Sequence, residues 1–281
     1  MTLPRLAVVG CANRDVTIRV KDLPRTGETL LGEDLQESMG GKGANQAAAA
    51  ARLGMATTFF GMVGRDSAGE RVVRNLTAHG VDVRCVREGN GPTGTALITV
   101  DSHGENTIVV APGVNDELDC RAQSFDVFDV VLGQLEVSAR TMLDVARRSR
   151  CFLLNAAPPT KVHRDLLEAS EVVIVNETEL LGLTLSEISR CVVTLGARGA
   201  EYYEFGERRD VARPPVVQPV DTVGAGDVFC AAFATQFAHG RDMSEILKYA
   251  VTAGALATLA VGAQGALPLD SEVREWLARA S

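Results

Sequence analysis

Two glycine-rich segments hold the residues of this chain best suited to chemistry. One is Asp221-Thr222-Val223-Gly224-Ala225-Gly226-Asp227, which runs directly into the apolar stretch Val228-Phe229-Cys230-Ala231-Ala232-Phe233. A glycine turn that opens a helix leaves the first helical N–H groups without intrahelical acceptors, at the positive end of the helix dipole. Gly224 and Gly226 allow a ligand to come close to the backbone. The amides of Gly224, Ala225 and Gly226 therefore suit a phosphate that gains negative charge during transfer. Asp227, at the same helix start, is placed to act as a base toward a hydroxyl. In a loose phosphoryl-transfer transition state the attacking hydroxyl becomes acidic late, so a weak base suffices and positioning dominates. Read alone, the same residues serve equally well as an N-cap and a turn.

The other segment is Gly40-Gly41-Lys42-Gly43-Ala44-Asn45-Gln46-Ala47. It is not a P-loop, because Lys42 is followed by Gly43 and no glycine precedes at the required spacing. Asn45 falls on the first helical turn, where its amide and the open Gly40-Gly41 backbone offer donors and acceptors for sugar hydroxyls. By itself the segment reads more simply as a turn before a good helix former. Thr194-Leu195-Gly196-Ala197-Arg198-Gly199 reads unaided as an ordinary strand-to-hairpin turn. His79, His103, His163 and His239 are scattered without metal spacing and are assigned to surface or satisfied core positions.

The elements that must position these residues follow a regular rhythm. Short apolar runs alternate with amphipathic ones: Leu6–Val9, helix Ala44–Leu53, Thr57–Val63, helix Ser67–Ala78, Val127–Leu132, helix Ala139–Arg148, Phe152–Leu154, helix Val162–Ala169, Val172–Val175 and Val192–Leu195. This predicts a parallel sheet with crossover helices, covered on both faces. Val16–Gln36 and Thr93–Ala111 break the rhythm with turn signals and alternation, and read as strands of a small projecting sheet. The last third is helical, over Val228–Phe237, Ser244–Ala260 and Glu272–Ala280. The first strand, Leu6–Val9, lacks a G-x-G-x-x-G turn after it, which makes a nicotinamide-dependent enzyme remote.

Bulk properties narrow the class. The chain has 281 residues, 46% of them hydrophobic, enough for a sizeable core. A formal net charge of −8 works against binding a polyanion, so no nucleic-acid partner is expected. Six cysteines lie far apart with no C-x-x-C pair, as in reduced core positions of a cytoplasmic protein. The longest uncharged small-apolar stretch, Ala250 to Ala266, falls short of the ~20 apolar residues of a membrane span, and no leader is evident at the start. No membrane partner is expected.

D-T-x-G-A-G-D at Asp221–Asp227 is similar to the C-terminal signature of the ribokinase-like (PfkB-type) carbohydrate kinases. Gly40–Ala47 resembles their N-terminal signature, in a wording especially like members that phosphorylate ribose. Gly10-Cys11-Ala12-Asn13-Arg14-Asp15, Gly104-Glu105-Asn106-Thr107 and Ala111-Pro112-Gly113-Val114-Asn115 look like the same family, so the resemblance runs in order along essentially the whole chain.

The resemblance implies a three-layer α/β/α ribokinase-like fold, with a central mainly parallel sheet and a small β-sheet lid. It implies a single domain over 1–281, with the lid formed by about 14–38 and 93–111. The implied activity is ATP-dependent phosphorylation of ribose at its 5-hydroxyl, with Asp227 as base. Asn13, Asp15, Gly41, Lys42, Asn45 and Glu136 match the family's sugar contacts. Asn176, Thr194, Gly196, Ala197, Gly199 and Gly226 match its nucleotide contacts. Glu179, in Asn176-Glu177-Thr178-Glu179, matches the residue that organises Mg²⁺ through water. Asp221, Val223, Ala257, Ala260 and Gly262 match a K⁺ site built mostly of carbonyls. A homodimer through the lid is implied as well.

Two features depart from the family pattern. Ala266 stands where many relatives place Ser or Thr before the proline of the C-terminal loop, which weighs against K⁺ activation. Only fourteen residues separate Asn176 from Cys191, which predicts a less covered flank of the sheet. Alternatives within the fold are kinases for deoxyribose, fructose, a keto-acid sugar or a nucleoside such as pseudouridine. A non-catalytic sugar-binding sensor is a remote alternative, because a mere binder has no need of Asp227.

Overall fold

Near-continuous runs of Val, Leu and Ile need cover on both faces, and in the computed structural model, which describes residues 3–280, they fill the middle of one large sheet. In chain order the elements of the first half are β1 (Arg5–Val9), β2 (Asn13–Arg19), β3 (Asp34–Gly40), α1 (Lys42–Arg52), β4 (Ala56–Gly64), α2 (Ser67–Ala78), β5 (Val86–Gly89), β6 (Gly94–Val100) and β7 (Asn106–Ala111). They continue as β8 (Val130–Gln134), α3 (Ala139–Ala146), β9 (Phe152–Asn155), α4 (Arg164–Glu168), β10 (Val172–Asn176), α5 (Glu177–Leu180), β11 (Arg190–Thr194), β12 (Ala200–Glu204) and β13 (Glu207–Ala212). Three helices follow: α6 (Ala225–Ala238), α7 (Met243–Ala257) and α8 (Asp270–Ala280).

The nine-stranded sheet has the order β13-β12-β11-β10-β9-β8-β1-β4-β5. Every pairing from β5 to β11 is parallel, and the hairpin of β12 and β13 adds an antiparallel edge. Period-2 alternation sends successive side chains of one strand to opposite faces. Leu6 and Val8 of β1 join Ile174, Val192, Phe233 and Leu247 on one side, under α1, α6 and α7. Ala7 and Val9 join Phe60, Leu154, Met142 and Leu166 on the other, under α3 and α4. Each fully buried Leu, Ile, Val or Phe contributes about 1.5–3 kcal/mol, so both helical layers are held mainly by apolar burial.

A second, four-stranded sheet has the order β3-β2-β6-β7 and stands on the carboxyl side of β1. Its outermost strand β7 is exposed along its whole length. The short connection after Asn176 carries no full helix. Instead α5 and a single 3₁₀ turn at Leu185–Glu187 bring Leu180, Leu183 and Leu185 against the second core, so leucine side chains cover the flank expected to be bare. Two further differences from expectation are local. Helix α4 shrinks to five residues, and the charge-rich β13 pairs by its backbone despite an unpromising sequence.

Candidate active site

All six parallel connections of the large sheet run the same way, so the strand ends carrying polar residues gather at one edge. Gly10 follows β1, Gln134 ends β8, Asn155 ends β9, Asn176 ends β10 and Thr194 ends β11. This is the edge at which open α/β sheets bind ligands.

Both glycine turns open here, into one cleft. Lys42, Asn155, Asn176, Glu179, Thr194, Gly224, Gly226 and Asp227 line it together. Gly41, with φ of +87°, is the N-cap of α1, and its conformation turns the chain from β3 into the helix against Ala12 and Asn13. Gly224, with φ of +81°, is the N-cap of α6, and a side chain there would strike Ala263. Gly226 differs, because a Cβ added to it would meet nothing within 4 Å. No protein neighbour demands a glycine at 226. The Ala225 N–H turns back to the Thr222 carbonyl at 3.3 Å, while those of Gly226 and Asp227 have no acceptor among the described residues.

Asp227 is buried and restrained at both oxygens. Asn45 Nδ2 donates to Oδ2 at 2.9 Å, and Gln46 Nε2 donates to Oδ1 at 3.1 Å. Burial pushes the Asp227 carboxyl above its usual range, against the opposing pull of Lys42 and of the Asn45 and Gln46 amides. A carboxylate so raised is a better proton acceptor. Lys42 in turn is held firmly charged, first by Asp227 and then by Glu136. Burial raises the Glu179 carboxyl too.

On the side of the small sheet, Glu136 Oε2 accepts from the Lys42 backbone N–H at 2.9 Å and from Cys11 Sγ at 2.6 Å. Asn13 is fixed by Asn115, whose Nδ2 donates to Asn13 Oδ1 at 2.9 Å and whose Oδ1 accepts from the Ala12 N–H at 3.1 Å. Asp15 on β2 lies over Gly40, where a Cβ would run into its carboxylate. Burial, then the charges of Glu136 and Asp227, raise the Asp15 carboxyl to about 7. Asn13, Asp15, Gly41, Lys42, Asn45, Glu136 and Asp227 are thus brought together as neighbours.

On the opposite side of the cleft, Asn176 caps α5 in a reciprocal capping box with Glu179: Asn176 Oδ1 accepts from the Glu179 N–H, and Glu179 Oε2 from the Asn176 N–H at 2.8 Å. Glu179 lines the cleft, and one carboxylate beside phosphate oxygens is the donor set that Mg²⁺ ordinarily takes from a protein. Thr194 shares the cleft, whereas Gly196 and Ala197 lie on the exposed turn between β11 and β12, with Gly199 buried behind them. Asp221 Oδ1 accepts from the Val223 N–H at 3.0 Å and Oδ2 from the Gly262 N–H at 2.8 Å, which pins the turn before α6 to the loop after α7. Ala257 ends α7 and Ala260 lies in that loop, so the five residues matched to a cation site are local to one another. Among the described residues no three His, Cys, Asp or Glu side chains are grouped to hold a metal.

Sequence reasoning missed five amides: Gln46, Asn115, Gln134, Asn155 and Gln264. Gln264 Nε2 donates to Asn45 Oδ1 at 2.9 Å and its Oε1 accepts from Asn75 Nδ2, which ties the C-terminal loop to the cleft. Gln134 and Asn155 did carry a signal, since each is the lone polar residue closing a buried apolar strand (VVLGQ and FLLN).

Polar strand ends thus gather at the edge of the large sheet, with both glycine turns lining one cleft there. The family model for the pfkB family carbohydrate kinases matches residues 3–270, and the chain belongs to that family. Ribokinase of Bacillus subtilis is 34% identical over 97% of this chain and 99% of its own. The structure of Arabidopsis thaliana ribokinase complexed with ribose and ATP superposes with a TM-score of 0.89 at 31% identity, covering 98% of this chain and 99% of that one. Ribokinase from Cryptococcus neoformans in complex with ADP gives a TM-score of 0.86 at 27% identity, covering 97% and 99%. The protein is a carbohydrate kinase with the ribokinase-like α/β fold.

Proposed function

We propose that the protein phosphorylates D-ribose at its 5-hydroxyl with ATP. The observation that carries this is the meeting of Asp227 with Lys42 and Asn45 at a helix start where the Gly226 and Asp227 amides have no acceptor among the described residues. Asn13, Asp15, Gly41, Lys42, Asn45 and Glu136 hold the sugar hydroxyls. Asp227 accepts the 5-hydroxyl proton as the new O–P bond forms and the bond to ADP breaks. The amides of the Gly224–Gly226 turn meet the charge on the transferring group, with Gly226 as the main donor because Ala225 is already engaged. Asn176, Thr194, Gly196, Ala197, Gly199 and Gly226 hold the nucleotide.

Glu179 would help to hold Mg²⁺, which would supply charge neutralisation at the phosphates. Asp221, Val223, Ala257, Ala260 and Gly262 would form a K⁺ site that stiffens the turn before α6. The small sheet acts as a lid that excludes water and favours transfer over hydrolysis. Its exposed apolar residues, among them Leu35, Leu97, Ile108, Val109 and Val110, suit the lid of a second copy, giving a homodimer. All six cysteines are unpaired, which accords with a cytoplasmic enzyme. None of the described helices is long and apolar enough to cross a membrane.

The test is a panel of ribose, deoxyribose, fructose, a keto-acid sugar and pseudouridine, with ADP release as readout. Ribose is expected to give the highest kcat/KM. Preference for a hexose or nucleoside by about an order of magnitude would assign the site to that substrate instead.

A further inference from the structure

We propose that Gln46 is a positioning residue for the base: it fixes the Asp227 carboxylate in one orientation, and Gln134 and Asn155 fix Gln46. The proposal rests on the reading of Asp227 as the base. Gln46 lies on the buried face of α1 with no exposed surface. Its Nε2 donates to Asp227 Oδ1 at 3.1 Å and to Asn155 Oδ1 at 3.0 Å, while its Oε1 accepts from Gln134 Nε2. Flipping the Gln46 amide would set its oxygen against two other oxygens and its NH₂ against that of Gln134. Only one orientation is therefore allowed.

Gln134 is itself fully buried, and its Oε1 has no hydrogen-bond partner among the described residues. That oxygen occupies the space a side chain at Gly10 would need. A Leu or Met would fill the same place at the end of β8 without the unsatisfied oxygen. The amide earns its position through what it does to Gln46. Asn155 is anchored in turn, with Nδ2 donating to the Ile174 carbonyl at 3.3 Å. Three side-chain amides thus connect the ends of β8 and β9 and the middle of β10 to the base on α6. Asn45 restrains the second oxygen of Asp227 from the adjacent position on α1, so the remaining lone pairs face the cleft.

The other groups whose charge reaches Asp227 are Lys42, Glu136, Glu179, Asp15 and the thiols of Cys11 and Cys230. The Gln46 N–H favours the ionised base, so its loss moves the acidic limb of activity to higher pH. The test uses Gln46→Met and Gln134→Met, singly and combined, assayed with ribose and Mg²⁺–ATP across pH. Gln46→Met is expected to lower kcat roughly 10- to 100-fold, the scale of a hydrogen bond to a charged group, with KM for ribose little changed. Its acidic limb should move to higher pH. Gln134→Met should shift kcat and the limb in the same direction by less, and should add nothing in the Gln46→Met background. A folded Gln46→Met enzyme with unchanged kcat and limb would overturn the proposal. So would an unchanged profile in Gln134→Met, which stands as the test should Gln46→Met not fold, or additive effects in the double variant. Wild-type protein inert toward every sugar would remove the kinase reading along with it, an outcome distinct from an active wild type with unmoved variants.

Discussion

Asn45 and Asp227 stand 182 positions apart in the chain and meet through a 2.9 Å hydrogen bond from Asn45 Nδ2 to Asp227 Oδ2. The bond joins the first turn of α1 to the first turn of α6, so the two glycine turns face the same cleft. Because Asn45 Oδ1 also accepts from Gln264, the loop after α7 is tied to the same point. The starts of α1 and α6 and the C-terminal loop are therefore one connected unit.

If Asp15 holds the sugar as proposed, sugar binding should be sensitive to pH. A neutral carboxyl accepts hydroxyl hydrogen bonds poorly, and burial with the charges of Glu136 and Asp227 raises this one to about 7. KM for the sugar should rise as pH falls from about 8 to about 6, and Asp15→Asn should raise KM and flatten this dependence. The raised value also bears on stability. An Asp titrating near 3.9 when unfolded contributes stability that is fully present below that pH and lost as pH rises through about 7. In thermal melts without sugar, Asp15→Asn should therefore raise Tm at alkaline pH. A Tm there equal to wild type would contradict the raised value.

Gly224 and Gly226 should separate folding from catalysis. Gly224→Ala forces a side chain into a positive φ and against Ala263, and should destabilise the protein by more than about 1 kcal/mol. Gly226→Ala meets open space and replaces a poor helix former, so Tm should hold or rise by the equivalent of about 0.5–1 kcal/mol. Its kcat should nevertheless fall by roughly 10²-fold or more, because the added Cβ would keep the transferring group from the retained N–H, an effect on the scale of an unused oxyanion donor. Undiminished turnover in Gly226→Ala would count against the anion site.

Glu179→Gln keeps an acceptor for the Asn176 N–H, and thereby the capping box, while removing the charge. Tm should change little. The Mg²⁺ concentration for half-maximal activity should rise, by roughly tenfold for one lost charged contact. An unchanged Mg²⁺ dependence would place the ion elsewhere.

The layered fold was legible because its signals are local. Apolar runs such as Leu6–Val9 and Val172–Val175 have no other stable home than a covered sheet, and Ser67–Ala78 has helical bounds that the structure reproduces. The hairpin of β12 and β13 was visible only as a turn, since ERRDVA has no apolar alternation and owes its strand conformation to pairing with β12. In the site, the residues that stood out were those inside glycine-rich words. Gln46 and Gln264 lie in such words yet did not stand out, because nothing local shows that an uncharged amide will meet a partner 181 to 219 residues away. How Leu180, Leu183 and Leu185 pack on the flank after Asn176, expected to be less covered, was not legible for a similar reason, since it depends on where the short connection lies.

The most direct measurement of the central claim is turnover and sugar binding by Asp227→Asn. The substitution keeps the shape of the side chain and one of its two acceptor oxygens, but removes the proton acceptor. Calorimetry should find ribose bound with affinity near that of the wild type, while kcat falls by ~10²–10⁴. Turnover equal to wild type in a variant that binds ribose normally would contradict the assignment of Asp227 as the base.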